Sequence, residues 1–195
     1  VSASASDFRR DVVGLCGSLR TGSLNGLALR LAGQCMPQGM SLDILDWREV
    51  PPFDAGRLAA QGMPAPVEAL RQRIGRAHAL IVATPEYNFS VPGMLKNLLD
   101  WLSRGEAQPL AGKPVALMSA STGPLGGARV QYDMRRVLLC MNAQVLAKPE
   151  IFIGAAQQKF SSNGECTDTP TRDFVTAQML ALSRWISQVE AMSGG

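Results

Sequence analysis

The chain has 195 residues, 46% of them hydrophobic and 18% charged, which suits one ordinary domain with a real core and excludes a disordered tail. No apolar run approaches the roughly 20 residues of a membrane-spanning helix, and the opening Val1-Ser-Ala-Ser-Ala-Ser lacks a basic-then-apolar leader. A net charge of +3 without a basic cluster suits small anions and argues against a nucleic-acid partner.

Residues 11–16 (Asp-Val-Val-Gly-Leu-Cys) read as a first strand, after eight residues expected to be flexible. Leu24, Leu27, Ala28, Leu31, Ala32 and Cys35 then fall on one helical face. Residues 41–46 alternate as a short second strand, and 47–65, with Pro51, Pro52, Pro64 and several Gly, read as a long loop. A helix over 66–76 leads to a third strand at 79–84. Met94, Leu95, Leu98, Leu99 and Leu102 mark an amphipathic helix, and 114–119 is a buried-type strand. Val130, Met134, Val137, Leu138 and Met141 give another helical stripe. A fifth strand at 144–147 and a last helix carrying Phe174, Ala177, Ala181 and Trp185 complete residues 1–195 as a single domain.

Strands alternating with helices call for a parallel sheet with helices on both faces. Five strands at this length predict an α/β fold of the flavodoxin-like, doubly wound kind, strand order 2-1-3-4-5. Such sheets bind ligands at the carboxyl ends of their strands, by the switch point between strands 1 and 3. The loops after the first, third and fourth strands are therefore the candidate site.

Cys16, Cys35, Cys140 and Cys166 form no Cys-x-x-Cys pair, and His78 is the only histidine. That argues against a metal site and against a Ser-His-Asp or Cys-His enzyme, and it reads as a reduced, cytoplasmic protein.

The first of the three loops, Gly17-Ser-Leu-Arg-Thr-Gly-Ser-Leu-Asn25, joins a strand to a helix. Its hydroxyls (Ser18, Thr21, Ser23), the Arg20 guanidinium, the Asn25 amide and the helix N-terminus all suit a phosphate. Gly17 and Gly22 have Walker A spacing, but Ser23-Leu24 stands where Lys-Ser/Thr is required, and G-x-G-x-x-G is missing. A polar turn capped by Ser23 or Asn25 is the bland alternative. In the second loop, Pro85 and Pro92 stiffen a turn able to aim backbone N–H groups at the edge of a heteroaromatic ring. Tyr87 or Phe89 is available to cover a ring face or to pack, and Glu86 is a loop brace more readily than a general base. Gly123, Gly126 and Gly127 in the third loop permit close approach to a bound ring.

Gly17-Ser-Leu-Arg-x-x-Ser-x-Asn25, Pro85-Glu-Tyr-Asn88 with Pro92-Gly93 and Lys96-Asn97-x-x-Asp100, and Gly126-Gly127-x-Arg129 resemble the NAD(P)H-dependent FMN reductase family, which includes bacterial quinone and chromate reductases. The resemblance runs from about residue 11 to residue 153. It implies bound FMN, with the phosphate on Ser18, Arg20, Ser23, Leu24 and Asn25 and the isoalloxazine on Pro85, Glu86, Tyr87, Asn88, Ser121, Thr122 and Gly123. It also implies a homodimer or homotetramer. Phe89 stands where family members vary, which bears on the substrate pocket.

A flavin carries the redox chemistry itself, so the resemblance implies no catalytic side chain. It implies ping-pong hydride transfer from NAD(P)H to flavin N5, then two-electron reduction of a quinone, with chromate, azo dyes or free flavin as other acceptors. The alternative is a flavodoxin-type electron carrier that does not oxidise NAD(P)H directly. Such carriers have a Thr-x-Thr-Gly-x-Thr loop and an acidic surface, whereas this chain is basic and has Arg20. Arg129, Tyr132 and Glu150 are candidates for subunit contacts or for ordinary surface polarity. Trp47, Arg48 and the 47–65 segment are candidates for a pocket rim or a plain connection, and Trp101 and Trp185 read as packing residues.

Overall fold

The computed structural model describes residues 9–193, so the flexibility expected of residues 1–8 lies outside the described residues. In chain order the elements are β1 (Arg10–Cys16), α1 (Leu24–Gln34), β2 (Met40–Ile44), α2 (Ala55–Gln61), α3 (Ala65–Arg76), β3 (Ala79–Ala83), α4 (Gly93–Leu102), β4 (Pro114–Ala120), α5 (Ala128–Cys140), β5 (Gln144–Val145), β6 (Ile151–Ile153) and α6 (Thr169–Ser193). The sheet runs β2-β1-β3-β4-β5 with every pair parallel, the flavodoxin-like order expected from the sequence.

Period-two alternation sorts the strand residues between two helical layers. Val13, Leu15, Leu80, Val82, Val115 and Leu117 face α3, α4 and α5 on one side. Val12, Ile81, Ala83, Ala116, Met118 and Ala120 face α1 and α6 on the other. Every residue of β3 and β4 is buried, which is why both read as unbroken apolar runs. Because all strands point the same way, the segments 17–23, 84–92 and 121–127 emerge at one edge.

The expected fifth strand is two pieces. β5 pairs with Pro114 and Val115, and β6 pairs with Met118 to Ala120 further along β4. Pro149 lies between them and has no N–H to offer the ladder. The segment 47–65 is likewise not all loop. Asp54 accepts a hydrogen bond from the Arg57 backbone N–H and starts α2, and Gly62 at φ 77° follows its end.

Trp47 lines the cavity beside residues 17–23 with little exposed surface, and its indole N–H donates to the Cys16 carbonyl at 3.1 Å, which pins the segment beneath the end of β1. Further along, the Pro51 carbonyl accepts from Asn97 Nδ2 at 2.9 Å and from Trp101 Nε1 at 2.8 Å, and the Phe53 N–H donates to Asn97 Oδ1 at 2.6 Å. The Phe53 ring meets Trp101 edge-on at 4.9 Å. Trp101 is fully buried and Trp185 donates to the Gln144 carbonyl, so both serve packing.

Burial outweighs the single hydrogen bond at Trp101. Trp101→Ala is expected to lower the unfolding free energy by about 3–5 kcal/mol. Trp101→Phe, which keeps a ring and loses the N–H, is expected to cost only about 1–3 kcal/mol. Urea denaturation of the two variants measures the difference.

Candidate active site

Residues 17–23 follow β1 and end at Ser23, the N-cap of α1, whose Oγ accepts from the backbone N–H groups of Asn25 and Gly26 at 3.2 and 3.4 Å. The Ser23 hydroxyl also shares a hydrogen bond with the Cys16 thiol at 3.7 Å. Ser18 is nearly buried, and its Oγ accepts from the Arg20 N–H at 3.4 Å. Among the described residues, the N–H groups of Thr21, Gly22 and Leu24 donate to no acceptor in the chain. The Arg20 side chain is exposed and folds over the loop, donating to the Thr21 and Gly22 carbonyls at 3.4 and 3.1 Å.

A cavity of 300 Å³ lies against this loop, lined by Ser18, Arg20 and Ser23 and, from other elements, by Arg30 and Arg48. Arg30 stands in no loop motif and sequence spacing missed it, whereas Arg48 is one of the residues weighed for a pocket rim and does line this cavity. Arg48 pairs with Asp46 at 2.9 Å, and its backbone N–H is the main cause that holds the Asp46 carboxyl below its ordinary value. A larger hollow of 710 Å³ between α4 and α5 touches neither residues 17–23 nor 121–127.

Asn25 is placed differently from the other phosphate candidates. Its side chain is turned inward and almost wholly buried, with Nδ2 donating to the Ala120 carbonyl at 3.0 Å and Oδ1 accepting the Ala120 N–H at 2.9 Å. It ties the start of α1 to the end of β4. Leu24 opens α1.

In the second loop, Thr84 Oγ1 donates to the Pro85 carbonyl at 3.0 Å. Tyr87 and Ser90 exchange backbone hydrogen bonds at 3.1 and 3.0 Å, closing a two-residue hairpin over Asn88 and Phe89. Both turn residues have positive φ, 50° and 68°, the signs a type I′ turn demands and normally fills with Asn-Gly. Tyr87 and Phe89 are exposed. Ser90 Oγ donates to Asp133 at 2.7 Å, a bond that lowers the Asp133 carboxyl from its ordinary value, helped by Arg136.

Glu86 is a brace. Its carboxylate accepts from the backbone N–H groups of Arg129 and Val130 at 3.1 and 3.3 Å and from Arg129 Nε at 2.7 Å. It thereby caps α5, whose own N-cap, Gly127, has no side chain to do so.

The third loop also differs from expectation. Gly126 and Gly127 approach the chain itself and not an open site. A Cβ on Gly126 would stand 2.7–2.8 Å from backbone atoms of Phe152, Ile153 and Gly154, and one on Gly127 would stand 2.9 Å from Ser119 Cβ. The Ser121 N–H donates to the Ile153 carbonyl, the Ser121 carbonyl accepts from Ala156, and Ser121 Oγ donates to the Gly123 carbonyl at 3.1 Å. Thr122 is exposed, and among the described residues the N–H groups of Thr122 and Gly123, like those of Glu86 and Asn88, donate to no acceptor in the chain.

Of the residues weighed for subunit contacts, Arg129 pairs with Glu86 and Glu150 with Arg135 and Lys148 within the chain, while Tyr132 is exposed. Among the described residues, no group of three or more His, Cys, Asp or Glu is gathered as for a metal ion, and no helix is long and apolar enough to cross a membrane. All four cysteines are free.

The donor set of this edge fits FMN. An anion-suited turn at a helix N-terminus stands beside two loops with N–H groups left without an acceptor in the chain, which suit the carbonyl and nitrogen edge of a flat ring.

A family model described as NADPH-dependent FMN reductase matches residues 10–158. The chain is 44% identical over 181 residues to a quinone reductase of Escherichia coli (strain K12), covering 92% of this chain and 96% of that protein. It is 42% identical over 178 residues to an NAD(P)H-dependent FMN reductase of Pseudomonas aeruginosa, covering 91% and 96%. FerB, a flavoenzyme NAD(P)H:(acceptor) oxidoreductase from Paracoccus denitrificans, superposes with a TM-score of 0.83 at 30% identity, covering 92% of this chain and 98% of that one. By its loops, its strand order and these likenesses, the chain belongs to the NADPH-dependent FMN reductase family.

Proposed function

We propose that this chain binds FMN across the three loops and works as an NAD(P)H oxidoreductase that reduces quinone-type acceptors. The observation that carries the reading is the convergence, at one sheet edge, of unpaired backbone N–H groups from all three segments: Thr21, Gly22 and Leu24; Glu86 and Asn88; Thr122 and Gly123. FMN, when bound, supplies the redox chemistry, taking a hydride from NAD(P)H and giving two electrons to an acceptor.

The chain's own part is to bind and orient. Ser18, Arg20, Ser23 and Leu24 hold the phosphate, the N–H groups at the start of α1 meeting its oxygens with the helix dipole aligned. Asn25 acts on the loop and not on the phosphate, because its carboxamide is engaged by Ala120. Pro85 to Asn88 and Ser121 to Gly123 would hold the ring, their unpaired N–H groups being available to its carbonyl and nitrogen atoms. Preorganised amides of this kind stabilise negative charge on a reduced ring without rearranging.

The acceptor class comes from the relatives, a quinone reductase and an FMN reductase, together with the apolar side chains exposed on the loops.

Two outcomes test this. Arg20→Ala removes a charged donor to the phosphate and is expected to weaken FMN retention about 10- to 100-fold, measured by fluorescence titration of apoprotein; unchanged retention would remove the loop from the site. Anaerobic NADPH is expected to bleach the visible flavin band without any partner protein, and initial rates against a quinone are expected to give parallel double-reciprocal lines. A flavin that stays oxidised until a separate reductase is added would point to an electron carrier.

A further inference from the structure

The cavity beside the first loop has a second wall. Residues 18–23 form one side; the other is residues 44–48, where β2 ends, together with Arg30 from α1. The strand order sets this second wall away from the ring loops. β2 lies on one side of β1, while β3 and β4, which carry residues 84–92 and 121–127, lie on the other. Neighbouring strands stand about 4.8 Å apart, so the ends of β2 and β3 are separated by roughly 10 Å. A flavin with its phosphate on residues 18–24 and its ring at 85–88 and 121–123 therefore leaves the β2 side of the cavity free.

That side is equipped for an anion. The Arg30 guanidinium folds back along α1: a Cβ on Gly26 would stand 3.9 Å from its Nη1, and one on Gly164 would stand 3.4 Å from its Nη2. Among the described residues Arg30 has no hydrogen bond or ion pair, whereas Arg20 donates to the Thr21 and Gly22 carbonyls and Arg48 pairs with Asp46. Three guanidiniums against one carboxylate give the cavity an excess of positive charge. Ile44, exposed at the end of β2, adds apolar surface to the same wall.

Resting on the functional reading above, we propose that this wall takes the adenosine 2′-phosphate of NADPH, and that Arg30 and Arg48 set a preference for NADPH over NADH. A dinucleotide is longer than FMN by a second ribose-phosphate unit and a base, so it has a group to place beyond the first loop. A guanidinium meets a phosphate through parallel N–H donors, and the free one of Arg30 gives up no partner in doing so. Asp46 is the carboxylate at the end of β2 that could accept from the free 2′-hydroxyl of NADH. It is already engaged by Arg48, through Nη1 at 2.9 Å and the backbone N–H at 3.1 Å.

The test titrates holoenzyme of wild type, Arg30→Ala and Arg48→Ala calorimetrically with 2′,5′-ADP and with 5′-AMP, which differ only in the 2′-phosphate. Wild type is expected to bind 2′,5′-ADP about 5- to 20-fold more tightly than AMP, and each variant to lose most of that difference. The ratio of kcat/KM for NADPH to that for NADH is expected to fall by a similar factor in each variant. FMN retention in Arg30→Ala, read by fluorescence titration of apoprotein, is expected to stay within about twofold of wild type. Equal binding of the two nucleotides by wild type, or a coenzyme ratio that neither variant moves, would overturn the proposal. So would a loss of FMN in Arg30→Ala as large as in Arg20→Ala, which would make the whole cavity part of the flavin phosphate site. Anaerobic bleaching separates the two readings: a flavin bleached by neither coenzyme removes the oxidoreductase, and one bleached equally well by both removes only the preference.

Discussion

The carboxamide of Asn25 is the joint on which this sheet edge depends. It meets both backbone groups of Ala120, 95 residues away, at 3.0 and 2.9 Å, and does so in a buried setting where an unpaired amide would be costly. One end of the joint is the first turn of α1, directly after the anion-suited loop; the other is the last residue of β4, directly before the third loop. Two of the segments proposed to hold the ligand are therefore spaced by a pair of hydrogen bonds. Gly17 reinforces the arrangement from the side: a Cβ there would stand 2.5 Å from Thr84 Oγ1, so the first loop also lies hard against the end of β3.

The second loop is fastened by a different device. α5 begins at a glycine in the left-handed region and lacks a capping side chain of its own, so its first N–H groups need an external acceptor. Glu86 supplies that acceptor from across the edge, and by doing so fixes the loop to which it belongs. The helix dipole favours a carboxylate at this end, which explains the residue type without any acid–base role. The same contact orients Arg129 toward Phe89, so helix capping, loop position and ring orientation form one linked system.

These arrangements differ in how far they can be read from sequence. The strand order, the three loops and the Ser23 cap were legible because they rest on local signals: apolar runs, helical periodicity, and a serine ahead of a helix. Asn25 looked like a loop ligand because its partner is distant in the chain and its side chain could equally have faced outward. Gly126 and Gly127 looked like room for a ring, but what they make room for is residues 152–154 and Ser119, again remote in sequence. Trp47 was open between pocket rim and connection because local pattern does not show where an indole N–H goes; here it goes to the Cys16 carbonyl, and the residue borders the cavity beside residues 17–23. The short α2 was hidden by the Pro and Gly around it, although Asp54 three residues before Arg57 is a capping signal. Each miss concerns where a polar or aromatic side chain points, which depends on long-range contacts and not on local pattern.

The position of the one histidine bears on the kind of chemistry this edge performs. His78 precedes β3, and its Nδ1 accepts the backbone N–H of Asp11 near the start of β1 at 3.1 Å. In a parallel sheet the starts of β1 and β3 lie at the opposite edge from the ends that carry residues 17–23 and 84–92. The side chain best suited to shuttle protons near neutral pH is thus placed by topology as far along the strands from the loops as the sheet allows. The one carboxylate of the second loop, Glu86, is engaged with α5. What the loops offer instead is fixed backbone N–H groups, guanidiniums and an aromatic ring. That inventory suits a protein that binds, orients and polarises a group able to do the electron transfer itself, which agrees with membership of a family of reductases.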